Sequence, residues 1–168
     1  LIFNTSAIFA DNSLPAISNE TVTTITDIPS LDLEKSAQTE ISSGESLDYV
    51  ITYKNASEAD NPTVWITDTL PVGAIYPGSG HSWNALATAN GAPADNNSQP
   101  VPTSLNANID GTTDIGFQIT AFRNGDLLSD EGGVITITIQ VDGTVFKSGD
   151  LLTNSVCGQA FNGAGDVS

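Results

Sequence analysis

Between Leu47 and Tyr53 the chain changes character at every step. Leu47, Tyr49, Ile51 and Tyr53 are large and apolar, and Asp48, Val50 and Thr52 stand between them and can face outward. A period of two is the signature of a β-strand with one buried face, because successive side chains leave a strand on opposite sides. The run from Val134 to Val141 repeats the pattern more cleanly, with Ile135, Ile137, Ile139 and Val141 on one side and Thr136, Thr138 and Gln140 on the other. Leu31–Ser36, Thr63–Thr67, Ile115–Ala121 and Leu151–Cys157 read as further strands, as do residues 1–10 and Asn19–Asp27. Gly, Pro, Asn and Asp punctuate these runs at roughly ten-residue spacing, and no segment carries a helical period. The expected fold class is all-β, an Ig-like antiparallel β-sandwich with an N-terminal strand extension. Barrel closure is the alternative.

At 168 residues the chain is long enough to bury a core without cross-links, and one domain is expected. The reading divides it into residues 1–29, a donor-strand or linker segment, and residues 30–168, the sandwich. Residues 78–108 are rich in Gly, Ser, Asn, Ala and Pro and read as a long loop, with Trp83 expected to pin it. The formal net charge of −16 disfavours nucleic acid and anionic membranes as partners. No run of 18 apolar residues offers a membrane span. Cys157 is the single cysteine, so no internal disulfide is available, and a place as a small buried hydrophobe is expected for it. Few charges with abundant Thr, Ser, Asn and Gly suit a secreted β-protein. The chain opens on Leu1 rather than Met, which reads as a removed leader or a trimmed chain. The expected location is extracellular, at the cell surface.

Gly44, Tyr49, Tyr53 and Asn55, followed by Thr67-Asp68-Thr69-Leu70-Pro71 and Gly73, resemble the signature of the conserved surface-repeat domain (domain of unknown function eleven) of bacterial and archaeal cell-surface proteins. The step Gly149-Asp150-Leu151-Leu152-Thr153-Asn154-Ser155-Val156 is similar to that family's ending. The resemblance covers about residues 30–160, with the loop at 78–108 a departure. It implies an Ig-like extracellular structural module, usually in tandem and without an active site. Asp68 and Pro71 then read as a structural turn, because an Asp ahead of a Leu-Pro corner can accept backbone N–H bonds.

In that family one more strand follows the Asn-Thr-Ala-like step. Here the chain stops before it, while Leu1–Ala7 parallels Leu151–Cys157 and Asn19–Thr26 resembles the strand that is lacking. Either the chain is a cut from a tandem array, or each subunit lends its N-terminal strand to a neighbour's open sheet. The second reading makes the protein its own partner, a head-to-tail homopolymer that builds a filament, sheath or surface layer by strand addition. The candidate donor residues are Ile2, Phe3, Ile8, Val22, Thr24 and Ile25. The alternative function is an adhesin or carbohydrate-binding module, with Trp83 and Tyr76 near the long loop as stacking platforms for a sugar.

Acidic turn clusters make Ca²⁺ the candidate cofactor, with Asp110, Asp114, Asp126, Asp130 and Glu131 as candidate ligands. Turn chemistry enriches Asp and Asn for backbone reasons in any case. One His and one Cys argue against zinc. His81 is the only histidine and reads as a solvated loop residue, so no catalytic triad is expected and the chain is not read as an enzyme. Lys35 and Lys54 read as solvated charges, with an internal amide to Asn154 beside a nearby acid as the minor alternative. Sequons stand at Asn4, Asn19, Asn55 and Asn96.

Overall fold

The computed structural model describes residues 30–58, 63–85, 102–119, 127–162 and 166–167, and four short strands within the first 23 residues. Those four are β1 (Ile2–Asn4), β2 (Ala7–Ile8), β3 (Ala16–Ile17) and β4 (Thr21–Thr23). They pair only with one another among the described residues, β1 with β4 and β2 with β3, both antiparallel.

The body is an antiparallel β-sandwich. One sheet holds β5 (Leu31–Ala37), β6 (Ser46–Asn55), β12 (Gly132–Val141), β8 (Ala74–Ile75) and β9 (His81–Ala85). Its order is β5-β6-β12, and both β8 and β9 pair with β12. The other sheet runs β10 (Ser104–Ala107), β11 (Thr113–Gln118), β7 (Thr63–Leu70), β13 (Ser155–Asn162), β14 (Asp166–Val167). The alternating runs supply the two inner faces. Ile51 and Tyr53 on β6 and Ile135, Ile137 and Ile139 on β12 meet Val64, Ile66 and Leu70 on β7 and Ile115 and Phe117 on β11. Each of these is essentially removed from water. Burial of a side chain of this size contributes roughly 1.5–3 kcal/mol, so this cluster is the main force holding the sheets together.

One end of the sandwich is closed by Asn55. Its side-chain Nδ2 donates to the Leu127 carbonyl at 3.0 Å, and its Oδ1 accepts from the Ser57 backbone N–H and hydroxyl. The backbone of Asn55 also exchanges hydrogen bonds with Glu131 and Asp130. A fully buried side chain committed in this way is not available to a glycan, so the Asn55 sequon is structural.

Several expectations are corrected here. Strand β7 does not stop at Thr67 but continues through Asp68 to Leu70. The last long strand begins at Ser155, four residues later than its apolar content suggested. Alternation then places Val156, Gly158 and Ala160 inward and Cys157 outward, so Cys157 is exposed rather than buried. The stretch read as one loop at 78–108 contains β9 and β10, with residues 86–101 outside those described. Trp83 sits in β9, half-buried against the core, where its Nε1 donates to the Tyr53 hydroxyl at 2.9 Å. Gly133 makes that contact possible, since a Cβ there would lie 2.4 Å from Trp83 Nε1 and 2.6 Å from the Tyr53 oxygen. His81 is not a solvated loop residue. It lies in β9, half-buried, with Nδ1 and the Tyr76 hydroxyl 2.7 Å apart.

Candidate functional site

Four polar side chains, three on strands and one just ahead of a fourth strand, occupy inward positions where the period-two pattern calls for apolar ones. On β5, Leu31, Leu33 and Lys35 share the inner side. On β6 the inner row runs Leu47, Tyr49, Ile51, Tyr53, Asn55, and on β7 it runs Val64, Ile66, Asp68, Leu70. Asn154 precedes β13 by one residue, in phase with its inward residue Val156. Val156 stands opposite Asp68 across the β7–β13 ladder. Lys35 and Tyr49 belong to one sheet, and Asp68 and Asn154 to the elements of the other. The four therefore meet in the space between the sheets.

The centre is Asp68, which is fully buried. Lys35 Nζ pairs with its Oδ1. Asn154 Nδ2 donates to its Oδ2 at 3.4 Å. The Lys35 side chain is only 11% exposed, and its Nζ lies 4.3 Å from the centre of the Tyr49 ring. Two buried atoms of this cluster, the Tyr49 hydroxyl and Asn154 Oδ1, make no hydrogen bond of good geometry, although the Asn154 side chain lies near enough to the hydroxyl to act on its ionisation. Native interiors leave few such atoms.

Burial dominates the electrostatics. It pushes the Asp68 carboxyl above the usual carboxylate range, against the opposing pull of Lys35 and Asn154. It pushes the Lys35 amine below its ordinary value, against the attraction of Asp68. Both directions favour the uncharged pair, a free amine beside a carboxylic acid. Tyr49 is raised to about 12, first by burial and then by the Asp68 charge, with Asn154 opposing. Close packing holds the arrangement, for β13 presses on β5 at Gly158, where a Cβ would lie 2.6 Å from Leu31 Cδ2.

Asp68 is thus not the acceptor that fixes the Leu70-Pro71 corner. Its carboxylate meets Lys35 and Asn154 inside the sandwich, because the strand extends past it and turns it inward. Pro71 does belong to the turn, its carbonyl accepting from Ala74 N at 3.0 Å. Lys35 is not a solvated charge. Lys54 pairs with Asp130 near the surface, so the two lysines of the sequence reading part company.

The candidate cation ligands fall in separate places. Asp110 Oδ1 accepts from the backbone and hydroxyl of Thr112, and Asp114 Oδ1 accepts from the Thr69 hydroxyl at 2.7 Å. Glu131 Oε2 accepts from Leu128 N at 2.8 Å. Asp126 lies outside the described residues. Among the described residues no three of His, Cys, Asp and Glu form a group able to hold a metal ion. Of the candidate donor residues, Ile2, Phe3, Ile8 and Val22 fall in β1, β2 and β4, and Thr24 and Ile25 lie outside the described residues. Tyr76 and Trp83 pack against the core rather than presenting free rings.

No family model matches the chain, and no curated protein matches it. One similar solved structure is AvmM, described as catalysing macrocyclization in alchivemycin A biosynthesis. It is 11% identical, with a TM-score of 0.37, over 82% of this chain and 76% of that one. A likeness at this level carries no weight for the function.

The inward placement of Lys35 and Asp68 lay within reach of the sequence. Extending the inward rows from Leu31 and Leu33, and from Val64 and Ile66, puts Lys35 and Asp68 on buried faces. A charge at an inward strand position is a signal in its own right.

Proposed function

We propose that this protein is an extracellular structural subunit that assembles with copies of itself into a filament, sheath or surface layer by strand addition. The observation that carries the reading is the outer edge of β13. Among the described residues, β14 pairs with it only at Phe161 and Asn162, which leaves Ser155–Ala160 without a partner on that side. The sequence of β13, Ser-Val-Cys-Gly-Gln-Ala-Phe-Asn, contains no charge and no proline. Natural edges are usually blunted by one or the other. The edge strand β5 carries exposed Asp32 and Glu34, the edge strand β10 is four residues long, and the edge opposite β5 is split into β8 of two residues and β9 of five. Strand β13 is therefore the edge best suited to take up another strand, and its inner row continues the core.

The N-terminal segment is the donor in this reading. Its strands β1–β4 pair with each other and with neither sheet of the sandwich among the described residues. Donation then docks the β1–β4 ribbon as a unit or parts it. A head-to-tail contact of this kind propagates rather than closes. The resemblance to cell-surface repeat modules and the acidic, Thr-rich composition support a place outside the cell.

The test compares the full chain with a variant lacking residues 1–27, by negative-stain electron microscopy and sedimentation. The full chain is expected to form filaments or sheets and the variant to stay monomeric, with added Leu1–Asp27 peptide raising the variant's melting temperature. Assemblies of the same form from the deletion variant would overturn the proposal.

A further inference from the structure

We propose that Lys35 and Asn154 become joined by an intramolecular amide bond, with Asp68 as the proton-transfer group, locking β5 to the start of β13 across the sandwich. The geometry carries it. The amine of Lys35 and the carboxamide of Asn154 reach the two oxygens of one buried carboxyl group, and close packing of β5 on β13 holds them there.

The unlinked arrangement is a poor resting state. A buried ion pair seldom repays the loss of its hydration, and here the Tyr49 hydroxyl and Asn154 Oδ1 also make no hydrogen bond of good geometry. The linked state removes the buried charges and gives the Asn154 oxygen a donor. The amide N–H can donate to Asp68, and the neutral carboxyl can donate to the amide oxygen. No charge then remains between the sheets.

The step balances without an outside reagent. With the pair uncharged, Lys35 Nζ adds to Asn154 Cγ, forming the new C–N bond. The carbonyl electron pair moves to Oδ1, which takes the Asp68 proton. A half-turn of the carboxamide about Cβ–Cγ puts Oδ1 against Asp68 Oδ2, where Nδ2 now stands. The carboxylate removes a proton from the attached nitrogen and delivers it to Nδ2. The Cγ–Nδ2 bond breaks, ammonia leaves, and the proton on Oδ1 returns to Asp68 as the carbonyl re-forms. One amine and one carboxamide give one secondary amide and one ammonia. Placement does the work that a bimolecular reaction lacks, since reactants held in contact gain a large effective concentration. A groove of about 770 Å³ between residues 37–43 and 146–152 reaches Tyr49, whose ring centre lies 4.3 Å from Lys35 Nζ.

The inference is independent of strand donation, because it concerns bonds within one chain. Denaturing intact-mass measurement of the purified protein reads it directly. The expected result is a deficit of one ammonia, about 17 Da, from the sequence mass. Tandem mass spectrometry should find one branched peptide joining Lys35 to Asn154, with no trypsin cleavage after Lys35. Lys35→Arg, Asn154→Ala and Asp68→Ala should each restore the full mass. A full-mass, folded wild-type protein would overturn the proposal. So would a deficit that persists in Lys35→Arg and maps to a succinimide at an Asn-Gly step.

Discussion

Lys35 reaches the buried carboxylate of Asp68 from the opposite sheet, although the two are separated by 33 positions in the sequence. Each residue sits in an otherwise apolar inward row, so neither charge can turn to solvent without breaking the alternation of its own strand. That constraint turns two charges into a site. Asn154, in phase with the inner row of β13, completes it from the far end of the fold.

Loss of the Lys35–Asn154 link should be costly. It would close a loop of about 120 residues, and removing a cross-link over a loop that long costs about 4–5 kcal/mol in the chain-entropy account. For a chain of this size that corresponds to a melting temperature lower by roughly 10–20 °C. Asn154→Ala should show such a drop in calorimetry. Lys54→Ala, which removes a partly exposed ion pair, should change little.

Asn55→Ala should destabilise the sandwich by about 2–3 kcal/mol. It strands the Leu127 carbonyl and the Ser57 N–H without their side-chain partner at a fully buried position. A lower denaturant midpoint with an unchanged slope would check this. Secretion from a glycosylating host should leave Asn55 unmodified in the folded protein.

Gly133→Ala should cost about 1–3 kcal/mol by overpacking, because the added methyl group meets Trp83 and the Tyr53 oxygen. The distinguishing readout is Trp83 fluorescence, which should shift as the ring is displaced from its hydrogen bond.

Tyr49 should ionise later than a free tyrosine. Its folded value is about 12 against an ordinary 10.0, and burial, the larger cause, is present with or without the link. A raised value means that the folded state holds the proton more tightly than the unfolded state. Its contribution to stability is therefore complete below about pH 10 and is lost as pH rises towards 12. Tyrosinate absorbance in an alkaline titration should show a late step that is absent from Tyr49→Phe.

The strands of the sandwich were legible because alternation is a local property. Leu47–Tyr53 and Ile135–Val141 each declare a buried face within a few residues. Asp68 was misassigned for a related reason: Thr67-Asp68-Thr69-Leu70-Pro71 carries strong turn residues, and those outweighed the inward row begun at Val64 and Ile66. The strands β9 and β10 were hidden by composition, since His81–Ala85 becomes a strand through its pairing with β12 rather than through its own propensity.

The sequence alone determined that this chain is all-β, since a period of two gives each strand one face on which to bury its isoleucines, leucines and tyrosines, while the stacking of two open sheets rather than a closed barrel was decided by the tertiary structure. Tertiary structure decided that Asp68 is the acid that Lys35 and Asn154 share, because the three come from β5, β7 and the residue before β13, on two sheets. Which polar side chains face one another between sheets depends on register and on how the sheets stack. Both are settled by packing across the core, at distances in sequence that no local pattern spans.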